Sequence, residues 1–126
     1  MQAVIFEFWP DGARKDDYFK VAAVMRAELE TAEGFISIER FESITEEGKF
    51  VSLSFWESEE AIAAWRNRLR HRAAQAAGRG GIFKDYRLRV ASVLRDYTMT
   101  ERAEAPADSN EAHAGGAAYA GVLEGM

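Results

Sequence analysis

Residues 50–65 read FVSLSFWESEEAIAAW, and the change of period inside this stretch decides the fold. From Phe50 to Glu57 apolar and polar residues alternate, the period of a strand. Ser58-Glu59-Glu60 then offers a capping hydroxyl followed by two acids, the chemistry of a helix N-terminus. Ala61, Ile62, Trp65 and Leu69 continue at helical spacing, so a strand feeds directly into a helix, and Gly78-Arg79-Gly80-Gly81 ends that helix or a short successor to it. Immediately upstream, 35–42 (FISIERFE) alternates in the same way, and the polar SITEEGK between the two runs predicts an antiparallel hairpin. Before that, Tyr18, Ala22, Met25, Leu29 and Ala32 recur at steps of three and four, predicting a helix from about Lys15 to Ala32 with Gly34 as its stop. Residues 3–9 (AVIFEFW) are β-branched and aromatic and run into the turn Pro10-Asp11-Gly12, a first strand. Residues 84–98 (KDYRLRVASVLRDYT) predict a long last strand. The order βαββαβ is ferredoxin-like: an α+β domain with one antiparallel sheet and both helices on one of its faces.

The chain has 126 residues, enough for one core, and the composition shifts at about residue 100. We expect a folded domain over 1–100 and an acidic, Ala/Gly-rich, disordered tail over 101–126, whose last residues AYAGVLEGM form its most apolar part. The formal charge of −5 belongs mostly to that tail, with five acids against Arg102, leaving the domain near neutral. Arg66, Arg68, Arg70 and Arg72 stand two apart on a predicted helix and therefore fan around it, so no nucleic-acid partner is expected. There is no cysteine, which removes disulfides and thiolate chemistry and suits a cytoplasmic setting. MQAVIFEFW is too short for a membrane span and lacks a preceding basic segment, so no membrane association is expected.

Strand alternation sorts side chains into two faces. One is expected to carry Val4, Phe6, Phe8, Ile36, Ile38, Val51, Leu53 and Phe55 beneath the helices. The other carries Ile5, Trp9, Phe35, Phe41, Phe50 and Trp56 among Glu7, Ser37, Glu39, Ser52 and Ser54. Six large apolar side chains on the face without helices call for another layer, and a second copy packed sheet on sheet supplies it, a homodimeric barrel. A monomer whose tail shields those aromatics is the alternative.

Candidates for chemistry are few. No phosphate-cradling, dinucleotide, Ser-elbow or HExxH pattern occurs, and the two histidines, His71 and His113, do not make a His-rich metal site, so no metal is expected. His71 is the one residue of the domain with an ordinary pKa near neutrality and hence the general-base candidate; a solvated histidine among arginines is the plain alternative. Trp65 sits at core spacing with Ile62 and Leu69. Six residues separate it from His71, about 240° around a helix of about 3.6 residues per turn, so the two converge only if the helix kinks. Arg87, Arg89 and Arg95 alternate on the last strand, as a solvated, interface or anion-binding face.

The sequence resembles the antibiotic biosynthesis monooxygenase family across about residues 2–98. The resemblance is carried by Gly34-Phe35, the run Phe50 to Ser58 continuing into Glu60-Ala61 and Trp65, then His71, Gly78-Arg79, and Tyr86 to Tyr97 around Val90-Ala91-Ser92-Val93. It implies a dimeric α+β barrel and, for its oxygenase members, a cofactor-independent monooxygenase acting on a phenol- or quinol-like aromatic molecule. By that resemblance Trp65 and His71 are catalytic, and Phe6, Phe8, Phe55 and Phe83 are the apolar walls around a small apolar or aromatic ligand. The family also contains many members with no known activity and a heme-degrading branch; a non-catalytic, small-hydrophobic-ligand-binding or stress-associated module using the same pocket is the alternative. That branch resembles this chain less: its first strand carries an Asn, absent from residues 2–9, and its iron-ligating His comes further along the helix than His71. Phenol-oxidising members are similar in using an Asn early in the second helix, where this chain has Glu59-Glu60-Ala61-Ile62-Ala63. Oxyanion stabilisation here therefore calls for another donor.

Overall fold

A computed structural model describes residues 1–75 and 81–114, the side chains of 70–75 excepted. The elements are β1 (Gln2–Pro10), α1 (Lys15–Leu29), β2 (Phe35–Glu42), β3 (Phe50–Trp56), α2 (Glu59–Gln75), β4 (Phe83–Ser92) and α3 (Ala107–Ala114). The first six reproduce the expected βαββαβ order, in one antiparallel sheet of order β2-β3-β1-β4. The last strand stops at Ser92, short of the expected 98.

Local chemistry sets most boundaries. The N–H of Ala61 donates to Ser58 Oγ at 3.1 Å, the N-cap that starts α2. Asp11 Oδ1 accepts from Ala13 N at 2.9 Å in the turn before α1, whose first turn carries Asp16 and Asp17. That helix ends at Leu29, three residues earlier than its apolar spacing suggests, because the chain must turn through Gly34, at φ +79°, to enter β2. Gly34 also faces α2 closely: a Cβ there would stand 2.6 Å from Ala61 Cβ.

Register corrects the expected faces. Directly paired residues project to the same side of a sheet, and β1 pairs Phe8 with Phe50, Phe6 with Ser52, Val4 with Ser54 and Gln2 with Trp56. Phe50, Ser52, Ser54 and Trp56 therefore lie under the helices with Phe6 and Phe8, and Val51, Leu53 and Phe55 lie on the other face, the reverse of the expectation for β3. Each set of alternate positions in β3 is apolar enough to read as the inner one; hydrogen-bonded register, not hydropathy, selects between them. On β2, Phe35 is likewise an inner residue, paired with Trp56 before a bulge. Both helices sit on this inner face: Tyr18 and Ala22 of α1 close a core with Phe8 and Phe50, and Trp65 of α2 meets Trp56 with ring centres 6.4 Å apart.

Residues 1–92 form one compact unit and 93–126 a second. Within the second, the tail expected to be disordered contains α3. Asn110 N donates to Pro106 O at 3.0 Å to start it, with Asp108 in its first turn and His113 in its last. Arg102 holds the approach: Nε to Asn110 Oδ1 at 3.0 Å, an Nη to Thr98 O at 3.1 Å, and its guanidinium 5.1 Å from the Tyr97 ring centre. Composition missed this because a few side-chain-to-backbone hydrogen bonds order a short polar segment without a large apolar core. Residues 118–126 lie outside the described residues. Among the described residues no helix is long and apolar enough to cross a membrane.

Candidate functional site

The inner face divides along the strands. At the end where β1 meets the start of β4, Phe6, Phe8, Phe83 and Tyr86 make a continuous aromatic wall. Phe6 stacks on Phe8 with centres 5.2 Å apart, and Phe83 meets them edge-on at 5.5 and 5.7 Å. Tyr86 touches Phe6 at 5.6 Å and Phe83 at 5.9 Å. Phe8 is fully buried, roofed by Tyr18 of α1 at 4.6 Å. Burial pushes the Tyr18 phenol above its ordinary pKa, which a hydrogen bond from Arg40 Nε at 3.4 Å and the Arg40 charge partly offset.

Toward β4 the wall is open. Tyr86, Leu88 and Val90 alternate on the inner face, paired with Phe8, Phe6 and Val4, and remain 60%, 52% and 42% exposed. Of the charged residues of the two strands, Glu7, Asp85, Arg87 and Arg89 take the intervening positions and project to the opposite side, while Lys84 falls at the register shift opposite Trp9 and Pro10. On that opposite side Glu7 is bridged by Lys49 at 3.7 Å and Arg89 at 3.2 Å. The result is an uncharged strip of aromatic and aliphatic side chains on the inner face, the kind of surface that holds a small apolar ligand.

Of the predicted wall residues, the structure brings together Phe6, Phe8 and Phe83. Phe55 is not with them: it pairs with Ala3 on the face without helices. Trp65 lies at the other end of the sheet. Its partner Trp56 is six residues along β3 from Phe50, about 20 Å at a strand's rise. Trp65 opens instead on a cleft of about 350 Å³ between the α1–β2 turn and the start of α2, lined also by Thr31, Gly34, Ser58 and Arg68. Arg68 is fixed there, its guanidinium 5.3 Å from the Trp65 ring centre, 3.2 Å from Thr31 Oγ1 and 3.9 Å from Glu28 Oε2. These contacts tie α2 to α1, with the indole packed against the Arg68 guanidinium. The cleft is rimmed by carboxylates and is a poor receptacle for a flat apolar molecule. His71 belongs to α2, but its side chain lies outside the described residues, as do Gly78 and Arg79. Tyr86 was absent from the predicted set. Its signal lay in the complement of the alternating charges of β4: where Asp85, Arg87 and Arg89 face one way, Tyr86, Leu88 and Val90 must face the other. Among the described residues no group of three or more His, Cys, Asp or Glu is placed to hold a metal ion.

The strand order and one-sided helices define a ferredoxin-like α+β domain. The chain belongs to the antibiotic biosynthesis monooxygenase family, whose model matches residues 1–77. It is 42% identical over 101 residues, 80% of its own length, to the Jasmonate monooxygenase ABM of Pyricularia oryzae. It is 36% identical over 69 residues, 54% of its length, to the uncharacterized protein YqjZ of Bacillus subtilis. The chain spans about half the length of these curated relatives, 47% and 58% respectively. Among solved structures, the heme-degrader MhuD of Mycobacterium tuberculosis, with two hemes in its active site, superposes with a TM-score of 0.61 at 22% identity, covering 78% of this chain and 100% of that one. A Deinococcus radiodurans protein whose name places it among antibiotic biosynthesis monooxygenases gives 0.65 at 10% identity, over 78% and 97%. At these identities the likeness is one of fold.

Proposed function

We propose that this protein is a cofactor-independent monooxygenase that oxidises a small phenol- or quinol-like molecule held on the inner strip of β1 and β4. The observation that carries the reading is the uncharged aromatic wall of Phe6, Phe8, Phe83 and Tyr86, left open beside β4. The name of the Pyricularia oryzae relative, a monooxygenase, agrees with it at the level of reaction class. His71 is the base. The order of elements supports this reading: α2 follows the Trp56 end of the sheet, and the chain re-enters the sheet as β4 at the Phe83 end. The base removes a proton from a phenolic or benzylic position, and the resulting anion passes an electron to dioxygen. Recombination forms a C–O bond, the peroxide takes back the proton, and loss of water with the second hydrogen leaves a carbonyl. One oxygen atom thus enters the product and the other leaves as water. The heme-degrading reading has less support in this chain, since β1 contains no Asn.

Oxygen uptake by the purified protein, with hydroquinones, anthrone-like phenols and jasmonic acid and no added cofactor, tests this reading. Wild type is expected to consume oxygen above background, and His71→Ala to lower the rate by about 10²- to 10⁴-fold, the usual contribution of a general base. Trp65→Phe, at the far end of the sheet, is expected to leave the rate within about threefold. Binding of the same compounds without oxygen uptake overturns the enzymatic reading in favour of a ligand-binding module.

The homodimer is part of the same proposal. The face without helices carries Ile5, Val51, Leu53 and Phe55 in its middle and Phe41, 42% exposed, toward its edge. A second copy packed on that face buries them. Sedimentation equilibrium at micromolar concentration is expected to give twice the chain mass; a monomer mass removes the dimer.

A further inference from the structure

Tyr86 breaks the pattern of the strip it belongs to. The other inner-face residues of its middle, Val4, Phe6, Phe8, Phe83, Leu88 and Val90, end in hydrocarbon, and Tyr86 alone ends in a hydrogen-bonding group. Its ring is held by edge contacts to Phe6 and Phe83, each at an interplanar angle of 62°, so the direction of the hydroxyl is set by packing rather than by a polar partner. The hydroxyl has no hydrogen-bond partner among the described residues; the backbone N–H of Tyr86 donates to Asp85 Oδ1 at 2.8 Å. With the side chain 60% exposed and on the open side of the wall, the O–H is free to meet a ligand.

We propose that the Tyr86 hydroxyl binds the oxygen substituent of a phenolic ligand lying against Phe6 and Phe83, and so decides which end of the ring faces into the wall. The inference rests on the reading of this strip as the ligand site. A hydrocarbon wall holds a flat ring through area alone and gives it no unique orientation; one fixed donor supplies that orientation. Along the regularly paired stretch Glu7, Arg87 and Arg89 point to the other face, so the strip favours an uncharged aromatic body over an ionised one. A phenol hydroxyl is also able to donate to a phenolate as it forms, which is the role left open by Glu59-Glu60-Ala61-Ile62-Ala63 at the start of α2.

Equilibrium dialysis with 1-naphthol and with naphthalene, against wild type and Tyr86→Phe, separates this role from simple packing. The two probes differ by one hydroxyl, and Tyr86→Phe keeps the ring and its edge contacts. Wild type is expected to bind 1-naphthol about three- to tenfold more tightly than naphthalene, the range of one hydrogen bond. Tyr86→Phe is expected to erase that preference while leaving naphthalene affinity unchanged. The proposal is overturned if the variant keeps the preference, if it loses affinity for both probes alike, or if wild type binds neither. A protein that shows the expected binding pattern but consumes no oxygen with any phenol loses the monooxygenase reading and keeps Tyr86 as its ligand-orienting residue.

Discussion

Phe8→Ala is expected to destabilise the unit of residues 1–92 by about 4 kcal/mol, within the usual range for deleting a buried aromatic ring. Phe8 is fully buried and is the hub of the inner face, in ring contact with Phe6, Tyr18, Phe50 and Phe83. Those neighbours belong to three strands and one helix, so the cavity cannot close by the movement of one side chain. A loss of that size is a large share of the roughly 5–15 kcal/mol that holds a domain together. For a unit of this length it corresponds to a fall in melting temperature of about 20 °C. Denaturant unfolding followed by circular dichroism, at one fixed protein concentration, measures it, with Tyr86→Ala as the exposed comparison expected to cost about 1 kcal/mol or less. Equal effects of the two substitutions contradict the placement of the core.

The second large effect is expected at Gly34. Gly34→Ala meets two separate penalties, a left-handed backbone at φ +79° and a Cβ 2.6 Å from Ala61 Cβ. The first costs about 1–2 kcal/mol for a residue with a side chain. The second forces α2 away from the β2 entry and adds about 1–3 kcal/mol, for a total near 3 kcal/mol. The junction has little slack, because Glu57 N donates to Gly34 O at 2.8 Å across the same gap. Placing Gly34→Ala in an Ala61→Gly background is expected to recover the steric part and leave the backbone part. A double-mutant cycle by thermal unfolding therefore separates them, with a favourable coupling of about 1–2 kcal/mol. A single variant that melts with wild type shows that the two elements do not approach as closely as this.

The role of Gly34 as a helix stop was legible in the sequence, whereas its contact with Ala61 was not. A stop signal is local and depends on φ alone; a close approach depends on the placement of a helix that begins 25 residues later. Ser58 as a cap and the turns at 10–12 and 43–49 were legible for the same local reason. Phe55 shows the opposite case. Its apolar character and strand period were correct, yet it left the wall it was expected to join because pairing of Phe8 with Phe50 fixed the faces of β3. A period of two gives two faces and does not say which is inner. Trp65 lies on the expected helix but near Trp56, away from Phe6, Phe8 and Phe83, since a position along α2 becomes a position over the strands only once the layers pack.

The amino-acid sequence by itself determined the order and type of the first six elements, the family to which the chain belongs, and the near-neutral, cysteine-free character of its domain. Each follows from neighbours within a few residues or from composition. Tertiary structure alone decided which alternate residues of β3 lie under the helices, that Phe6, Phe8 and Phe83 meet while Phe55 and Trp65 stand apart, and that Tyr86 completes the wall. It also decided that a polar segment expected to be disordered closes around Arg102 and a short helix. The physical reason is common to these cases: hydrogen-bonded register and helix packing join residues tens of positions apart, and no local pattern of hydropathy records which partners they choose.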